Sequence, residues 1–307
     1  MATDDVFRRY EGNPIIGPDA VPGADSIYNS AVVPFDGRYV GVFRVDHTTC
    51  QQWLHVGWSE DGLNWQIEPE PLALDFGEMD IQMRPGGYDP RIIEVEGRYF
   101  VIWCAPYHGP TLALGETEDF ETFRFICNPV PPYNRNGVLF PRRIGGKYLL
   151  LHRPSDRGHT PFGDIFVCQS EDLVHWGRHR FVFGPAGGWQ STKVGAGPVP
   201  IETDEGWLLI YHGVLTTCNG YIYSAGAALL DLEEPWKVIC RTGRYLLRPE
   251  EDYERVGNVP NVVFPCAALV DEQSGELTLY YGAGDTCIGV AYANLDDILR
   301  YTRENAL

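Results

Sequence analysis

The sequence predicts an all-β protein, a five-bladed β-propeller built as one domain over residues 1–307. Three observations carry that expectation. One strand–turn–strand unit occurs five times, each copy holds a proline at a matching point, and three copies are followed by a polar turn that closes on an aromatic. With 44% hydrophobic and 13% aromatic residues the chain can fill a large core, and closed all-β folds of this length form as single domains.

The copies run in order. The first reads Ala31-Val32-Val33-Pro34, a turn at Asp36-Gly37, then an apolar run to Arg44. The second has Asp89-Pro90, Glu96-Gly97 and a run to Trp103. The third has Leu139-Phe140-Pro141, Gly145-Gly146 and a run to Arg153. The fourth has Gly197-Pro198, Glu205-Gly206 and a run to His212, and the fifth Phe264-Pro265, Ser274-Gly275 and a run to Tyr281. Each is a hairpin signature, two β-rich runs around a glycine turn. Each copy is read as an apolar strand ending in proline. The prolines recur at intervals of roughly 50 to 70 residues, which suits a blade of four strands. The second pattern, at 59–65, 117–123 and 170–176, closes on Trp65, Phe123 and Trp176. It reads as the turn between the last two strands of a blade, with the aromatic packed between blades. Residues 295–301 read as a short terminal helix.

Composition excludes several partners. Lys plus Arg is 24 against 42 Asp plus Glu, a formal charge of -18 that repels nucleic-acid backbones and anionic lipid. No run approaches the roughly 20 apolar residues of a membrane span, and Asp4, Asp5, Arg8 and Arg9 open the chain without an apolar stretch behind them. The eight cysteines include no C-x-x-C pair, and Cys104 and Cys240 sit inside apolar runs. They read as buried free thiols of a cytoplasmic protein. His47, His55, His108, His159, His175 and His179 lack metal-ligand spacing, so no metal is expected. No phosphate-loop, dinucleotide or serine-hydrolase motif occurs, so no cofactor is expected. Nothing marks a coiled coil or an interface run, and a homo-oligomer stays compatible with the sequence.

In a propeller the ligand site is expected at one mouth of the central channel. Polar residues at corresponding points of the repeats are therefore candidates: Asn29, Ser30, Arg44 and Asp46 in the first, Tyr88 and Asp89 in the second, Asn134, Arg135, Asn136, His152 and Arg153 in the third, Lys193, Tyr211 and His212 in the fourth, Asp285 in the fifth. Asp89, in Gly86-Gly87-Tyr88-Asp89-Pro90-Arg91, could be a proton donor with a raised pKa or a turn carboxylate paired with Arg91; the string leaves both open. Arg135, Arg153, Lys193 and His212 could bind a small dianion such as phosphate, or be neutralised singly by nearby acids. One acid plus one phosphate site would define a phosphorylase, which needs no second carboxyl to activate water.

Taken together, Tyr28-Asn29-Ser30-Ala31-Val32-Val33-Pro34, Tyr88-Asp89-Pro90-Arg91, Asn136-Gly137-Val138-Leu139-Phe140-Pro141-Arg142, His152-Arg153-Pro154-Ser155, Lys193-Val194-Gly195-Ala196-Gly197-Pro198 and Tyr211-His212-Gly213 make the chain resemble glycoside hydrolase family 130, the β-mannoside phosphorylases, over nearly its whole length. The resemblance implies a five-bladed propeller that inverts at a β-mannosidic bond, consuming inorganic phosphate as co-substrate and releasing α-mannose 1-phosphate. It implies Asp89 as the single catalytic carboxyl, acting through the 3-hydroxyl of the bound mannose. It implies phosphate contacts from Arg135, Arg153, Lys193, His212 and Tyr223. It implies mannose contacts from Asn29, Ser30, Arg44, Asp46, Tyr88 and Asp285. Because some members lacking the cations hydrolyse instead, the complete cation set favours phosphorolysis. Length and the Asn134-Arg135-Asn136 string resemble the branch acting on β-1,4-mannosides, including mannobiose, mannooligosaccharides and mannosyl-N-acetylglucosamine. A β-1,2-mannoside phosphorylase, an inverting β-mannosidase and a non-catalytic carbohydrate-binding propeller are the alternatives. Acceptor choice is expected to rest on residues 108–111 and 157–164.

Overall fold

Apolar residues run almost without interruption along the predicted strands, as in Tyr148-Leu149-Leu150-Leu151 and Phe100-Val101-Ile102-Trp103, so each strand offers hydrophobic side chains to both faces of its sheet, and a sheet with two apolar faces needs a neighbour on each. In the computed structural model, which describes residues 6–77, 86–155 and 163–307, that need is met by five sheets arranged as the blades of a propeller. Blade one is Ala24–Phe35, Arg38–His47, Gln52–Ser59 and Gln66–Ile67. Blade two is Tyr88–Val95, Arg98–Pro106, Pro110–Thr117 and Phe123–Cys127, with Leu74–Asp75 added in parallel on its rim. Blade three is Asn134–Leu139, Tyr148–Pro154, Ile165–Ser170 and Trp176–Phe183. Blade four runs Lys193–Ala196, Gly206–Thr217, Gly220–Leu230 and Val238–Arg241, with Ile201–Thr203 also paired to its second strand. Blade five is Val263–Val270, Glu276–Ala283 and Cys287–Asn294, completed by the N-terminal strand Arg8–Arg9, whose Arg8 pairs with Tyr292. First and last segments thus share one sheet and close the ring.

A hydrophobic layer fills each junction. Leu209 and Tyr211 face blade three, against Leu149 and Leu151, while Leu208 and Ile210 of the same strand face Leu277 and Leu279 of blade five. Ile93, Phe100 and Ile102 meet Leu139 and Leu150 between blades two and three, and Val40 and Val42 meet Val101 and Phe123 between one and two. Between five and one, Val32 meets Tyr280 and Val290. The aromatic-closed turns form as read. Ser59 Oγ accepts from Gly62 N, Asp61 accepts from Leu63 N and Asn64 N, and Trp65 Nε1 donates back to Gly62 O at 3.0 Å. Trp65 then packs against Tyr280 of blade five. The same turn recurs around Asp119 and Asp172. The terminal helix spans Leu295–Glu304, capped by Asn294.

Two details depart from the sequence reading. Pro34, Pro90 and Pro265 lie inside strands rather than ending them. The innermost strand of a blade is a sheet edge, where a residue without an N–H is tolerated. The cysteines are all free, but Cys50 and Cys218 are exposed and Cys127 and Cys240 only half-buried.

Candidate active site

The innermost strands of blades one, two and three share a defect that builds the site. Their pairing shifts register between Tyr28 and Ala31, between Tyr88 and Arg91, and between Arg135 and Val138. Within each bulge one residue is left-handed: Asn29 at φ 51°, Asp89 at 53° and Asn136 at 54°. Asn and Asp tolerate this region better than other side-chain-bearing residues, and bulges re-aim side chains. All three line one cavity of about 480 Å³ at the channel mouth, a volume suited to a small ligand.

Sequence residues far apart meet in this cavity. Asn29, Arg44, Tyr88, Asp89, Arg135, Arg153, Lys193, His212, Tyr223 and Asp285 all line it. Ser30 and Asp46 do not. Ser30 is buried beside the cavity, and Asp46 stands behind Arg44, accepting from its Nε at 2.8 Å, its Nη2 at 2.9 Å and Tyr28 Oη at 2.9 Å. Its place is to hold Arg44. The candidate Asn136 lines the wall as well, together with Ser155, Thr192, Tyr221 and Phe264, which carry no mark of ligand contact in the sequence. Tyr221 carries no local signal, because it arrives on the long hairpin of Gly206–Thr217 and Gly220–Leu230. Of the expected acceptor loops, residues 108–111 do not line the cavity, and 157–162, with His159, lie outside the described residues.

The Asp89 carboxylate does not pair with Arg91, whose Nη1 reaches Asp89 only at its main-chain oxygen, at 3.5 Å. Its Oδ1 accepts from Asn29 Nδ2 at 2.7 Å and Arg44 Nη1 at 3.1 Å, and its Oδ2 has no protein donor among the described residues. Burial opposes the charge on Arg44, but Asp89 and Asp46 outweigh it, so the guanidinium is held more firmly protonated than usual. Arg91 is buried instead beneath the site, donating to Gly197 O at 2.6 Å, Pro90 O at 2.8 Å and Pro265 O at 3.4 Å. It ties blades two, four and five together beneath the cavity.

Opposite lies a group of cations. Arg135 and Arg153 are direct cross-strand partners, an arrangement that costs stability between like charges. Among the described residues neither they nor Lys193 forms an ion pair, although Arg44, Arg98, Arg142 and Arg143 each do. Arg153 Nη1 donates to His212 Nε2 at 3.1 Å, so the imidazole is a neutral acceptor; burial first, then Arg153 and Lys193, hold its pKa well below the usual value. Burial, Arg153 and Arg135 lower Lys193 to about 8. Its ammonium sits 4.8 Å and 5.2 Å from the ring centroids of Tyr221 and Tyr223. Arg153 Nε, His212 Nδ1 and Asn136 Oδ1 are buried without a partner among the described residues. The space is kept by Gly195, where a Cβ would stand 2.6 Å from His212 Nε2. The cavity also holds a second carboxyl, Asp285, at φ 48°. Burial pushes it up to about 7, with Asp89 and Asp46 adding to the rise against Arg44 and Lys193.

The molecule is thus a five-bladed propeller whose cavity sets one carboxyl opposite cations that have no counter-ion among the described residues. A family model described as beta-1,4-mannooligosaccharide phosphorylase matches residues 2–304, and the chain belongs to that family, glycoside hydrolase family 130. It is 50% identical to a beta-1,4-mannooligosaccharide phosphorylase of Ruminococcus albus, over 98% of this chain and 92% of the relative. It is 36% identical to a beta-1,2-mannobiose phosphorylase of Listeria innocua, over 82% of this chain and 69% of the relative. A solved beta-1,2-mannobiose phosphorylase from Listeria innocua, in complex with beta-1,2-mannobiose, superposes with a TM-score of 0.87 at 30% identity, covering 97% of this chain and 99% of that one.

Proposed function

We propose that the protein cleaves β-1,4-mannosides by inverting phosphorolysis, yielding α-mannose 1-phosphate and the shortened sugar. The observation that carries this reading is the Arg135–Arg153 pair with Lys193: buried or half-buried cations without counter-ions among the described residues, facing a carboxyl across a sugar-sized cavity. Phosphate supplies the missing charge. Arg135 and Arg153 offer guanidinium forks, Lys193 a point charge, and Tyr223 and His212 further polar contacts. Asn29, Arg44, Tyr88 and Asp285 hold the mannose, with Ser30 and Asp46 supporting them from behind.

In the reaction a phosphate oxygen attacks C1 from one face while the C1–O bond to the leaving sugar breaks on the other. The leaving oxygen takes up a proton that originates on Asp89 and passes through the mannose 3-hydroxyl. Asp89 suits this role because Asn29 and Arg44 fix Oδ1 and leave Oδ2 to the cavity. No cofactor is required, since phosphate is itself the nucleophile. The 50% identity to a β-1,4-acting relative supports the β-1,4 linkage over β-1,2.

A second reading, inverting hydrolysis, draws on Asp285, a carboxyl that could serve as base for water. Incubation with β-1,4-mannobiose with and without phosphate separates the two. Phosphorolysis gives α-mannose 1-phosphate, seen by phosphorus NMR, and no turnover in the phosphate-free tube. Equal release of mannose in both tubes would establish hydrolysis instead.

A further inference from the structure

On the other side of the strand that carries Arg153 lies a cluster that the reaction does not use. His152 on Tyr148–Pro154, Cys168 on Ile165–Ser170 and His179 on Trp176–Phe183 bring one ligand atom each to within 4.8 Å of the others. Their sequence separations carry no motif; the third blade makes the group. Its last two strands shift register between Val167 and Gln169, so Cys168 faces the extra residues 178 and 179, with Arg178 at φ 52°. That bulge sets His179 beside Cys168 and His152.

We propose that His152, Cys168 and His179 form a binding site for a borderline transition-metal ion of the zinc class. Two imidazoles and one thiolate are a three-ligand set for such an ion, with a fourth position left to solvent. His152 is already oriented for it. Its Nδ1 donates to Asn134 Oδ1 at 2.9 Å, which turns the Nε2 lone pair toward His179 Nδ1, 3.0 Å away. An outer partner on the distal nitrogen is the usual companion of a metal-bound histidine. His152 and Cys168 are buried, whereas His179 is exposed and gives the ion a way in. Zinc–nitrogen bonds of about 2.0–2.1 Å in tetrahedral geometry would open the two nitrogens by only a few tenths of an ångström. On binding, the thiol proton leaves to solvent, and His179 carries its hydrogen on Nε2 in place of the hydrogen bond to His152. The site adjoins the anion subsite: His152 precedes Arg153, and Asn134 precedes Arg135.

The test uses the full chain, stripped by a chelator and kept free of phosphate, titrated with Co²⁺ while thiolate-to-cobalt charge-transfer absorption is followed. One equivalent should saturate the band, and Zn²⁺ should displace it. Cys168→Ala should abolish it. His179→Ala, a surface change that leaves the fold alone, should weaken binding roughly a hundredfold or more. Replacing the exposed Cys50 and Cys218 by Ser should change nothing. The proposal is overturned if no band appears, if it survives Cys168→Ala, if His179→Ala binds as tightly as the unaltered chain, or if the band vanishes with Cys50 and Cys218.

Discussion

Blades one and three present the same backbone to the cavity and opposite electrostatics. In both, the residue before the left-handed bulge position pairs across to the end of the second strand: Tyr28 with Arg44 in blade one, Arg135 with Arg153 in blade three. Arg44 is satisfied within the protein, by Asp46, by Asp89 and by the face of Tyr28 at 4.2 Å. Arg153 has an arginine opposite it, a neutral histidine as acceptor and a buried Nε with no partner among the described residues. One register position therefore serves two ends. A paired cation fixes carboxylates, and an unpaired one leaves a charge for a ligand to neutralise. In blade two the corresponding partner of Tyr88 is Cys104, so the position is not cationic by necessity.

Substitutions can break this comparison. The largest effect is expected from Asp89→Asn, which keeps the bonds from Asn29 and Arg44 but removes the proton. Turnover should fall by about 10²–10⁴-fold, with circular dichroism unchanged. Next come the two arginines themselves. Arg153→Met should lower the efficiency with phosphate by about a hundredfold, yet leave unfolding free energy unchanged or higher, because Arg135 loses a like charge opposite it. Arg44→Met should act the other way on stability, costing on the order of 3 kcal/mol in denaturant unfolding, since Asp46 and Asp89 lose their partner. Equal destabilisation by both changes would erase the distinction between the blades.

Two smaller effects sharpen it through pH. Lys193, lowered from 10.5 to about 8, keeps its charge below that pH and loses it above. Efficiency with phosphate should therefore decline as pH rises through about 8, and Lys193→Arg should move that limb upward. A profile unchanged by Lys193→Arg would remove the lysine from the phosphate subsite. Asp285 is raised from 3.8 to about 7, so the folded state binds its proton more tightly than the unfolded chain. Its contribution to stability is full below the ordinary carboxylate range and is lost as pH rises through about 7. Asp285→Asn should flatten that loss in unfolding measurements between pH 4 and pH 8; an unaltered slope would contradict the shift.

The fold was legible because its signals are local and repeated. The glycine turns at Asp36-Gly37 and Glu96-Gly97 and the closures on Trp65, Phe123 and Trp176 each encode their geometry within a few residues. The cations were legible for a related reason: Arg44, Arg153 and His212 occupy matching strand ends. What the sequence hid depends on register. Asp46 lies two residues beyond Arg44 on the same face, and only coordinates tell a ligand contact from the anchor of one. Asp285 stood out in the string, but the charges that act on it there, Arg44, Asp89, Asp46 and Lys193, come from other blades. Tyr221 reaches the cavity through hairpin length, and the His152, Cys168 and His179 group through a bulge, neither of which leaves a spacing to read.

The most direct measurement is a crystal structure with mannose and inorganic phosphate bound together. The account predicts the anion within hydrogen-bonding distance of Arg135, Arg153 and Lys193, on the face of the sugar ring away from the bond to the leaving group, with Asp89 Oδ2 near the 3-hydroxyl. Phosphate bound elsewhere, or sugar bound with those three cations still unaccompanied at saturating phosphate, would contradict it.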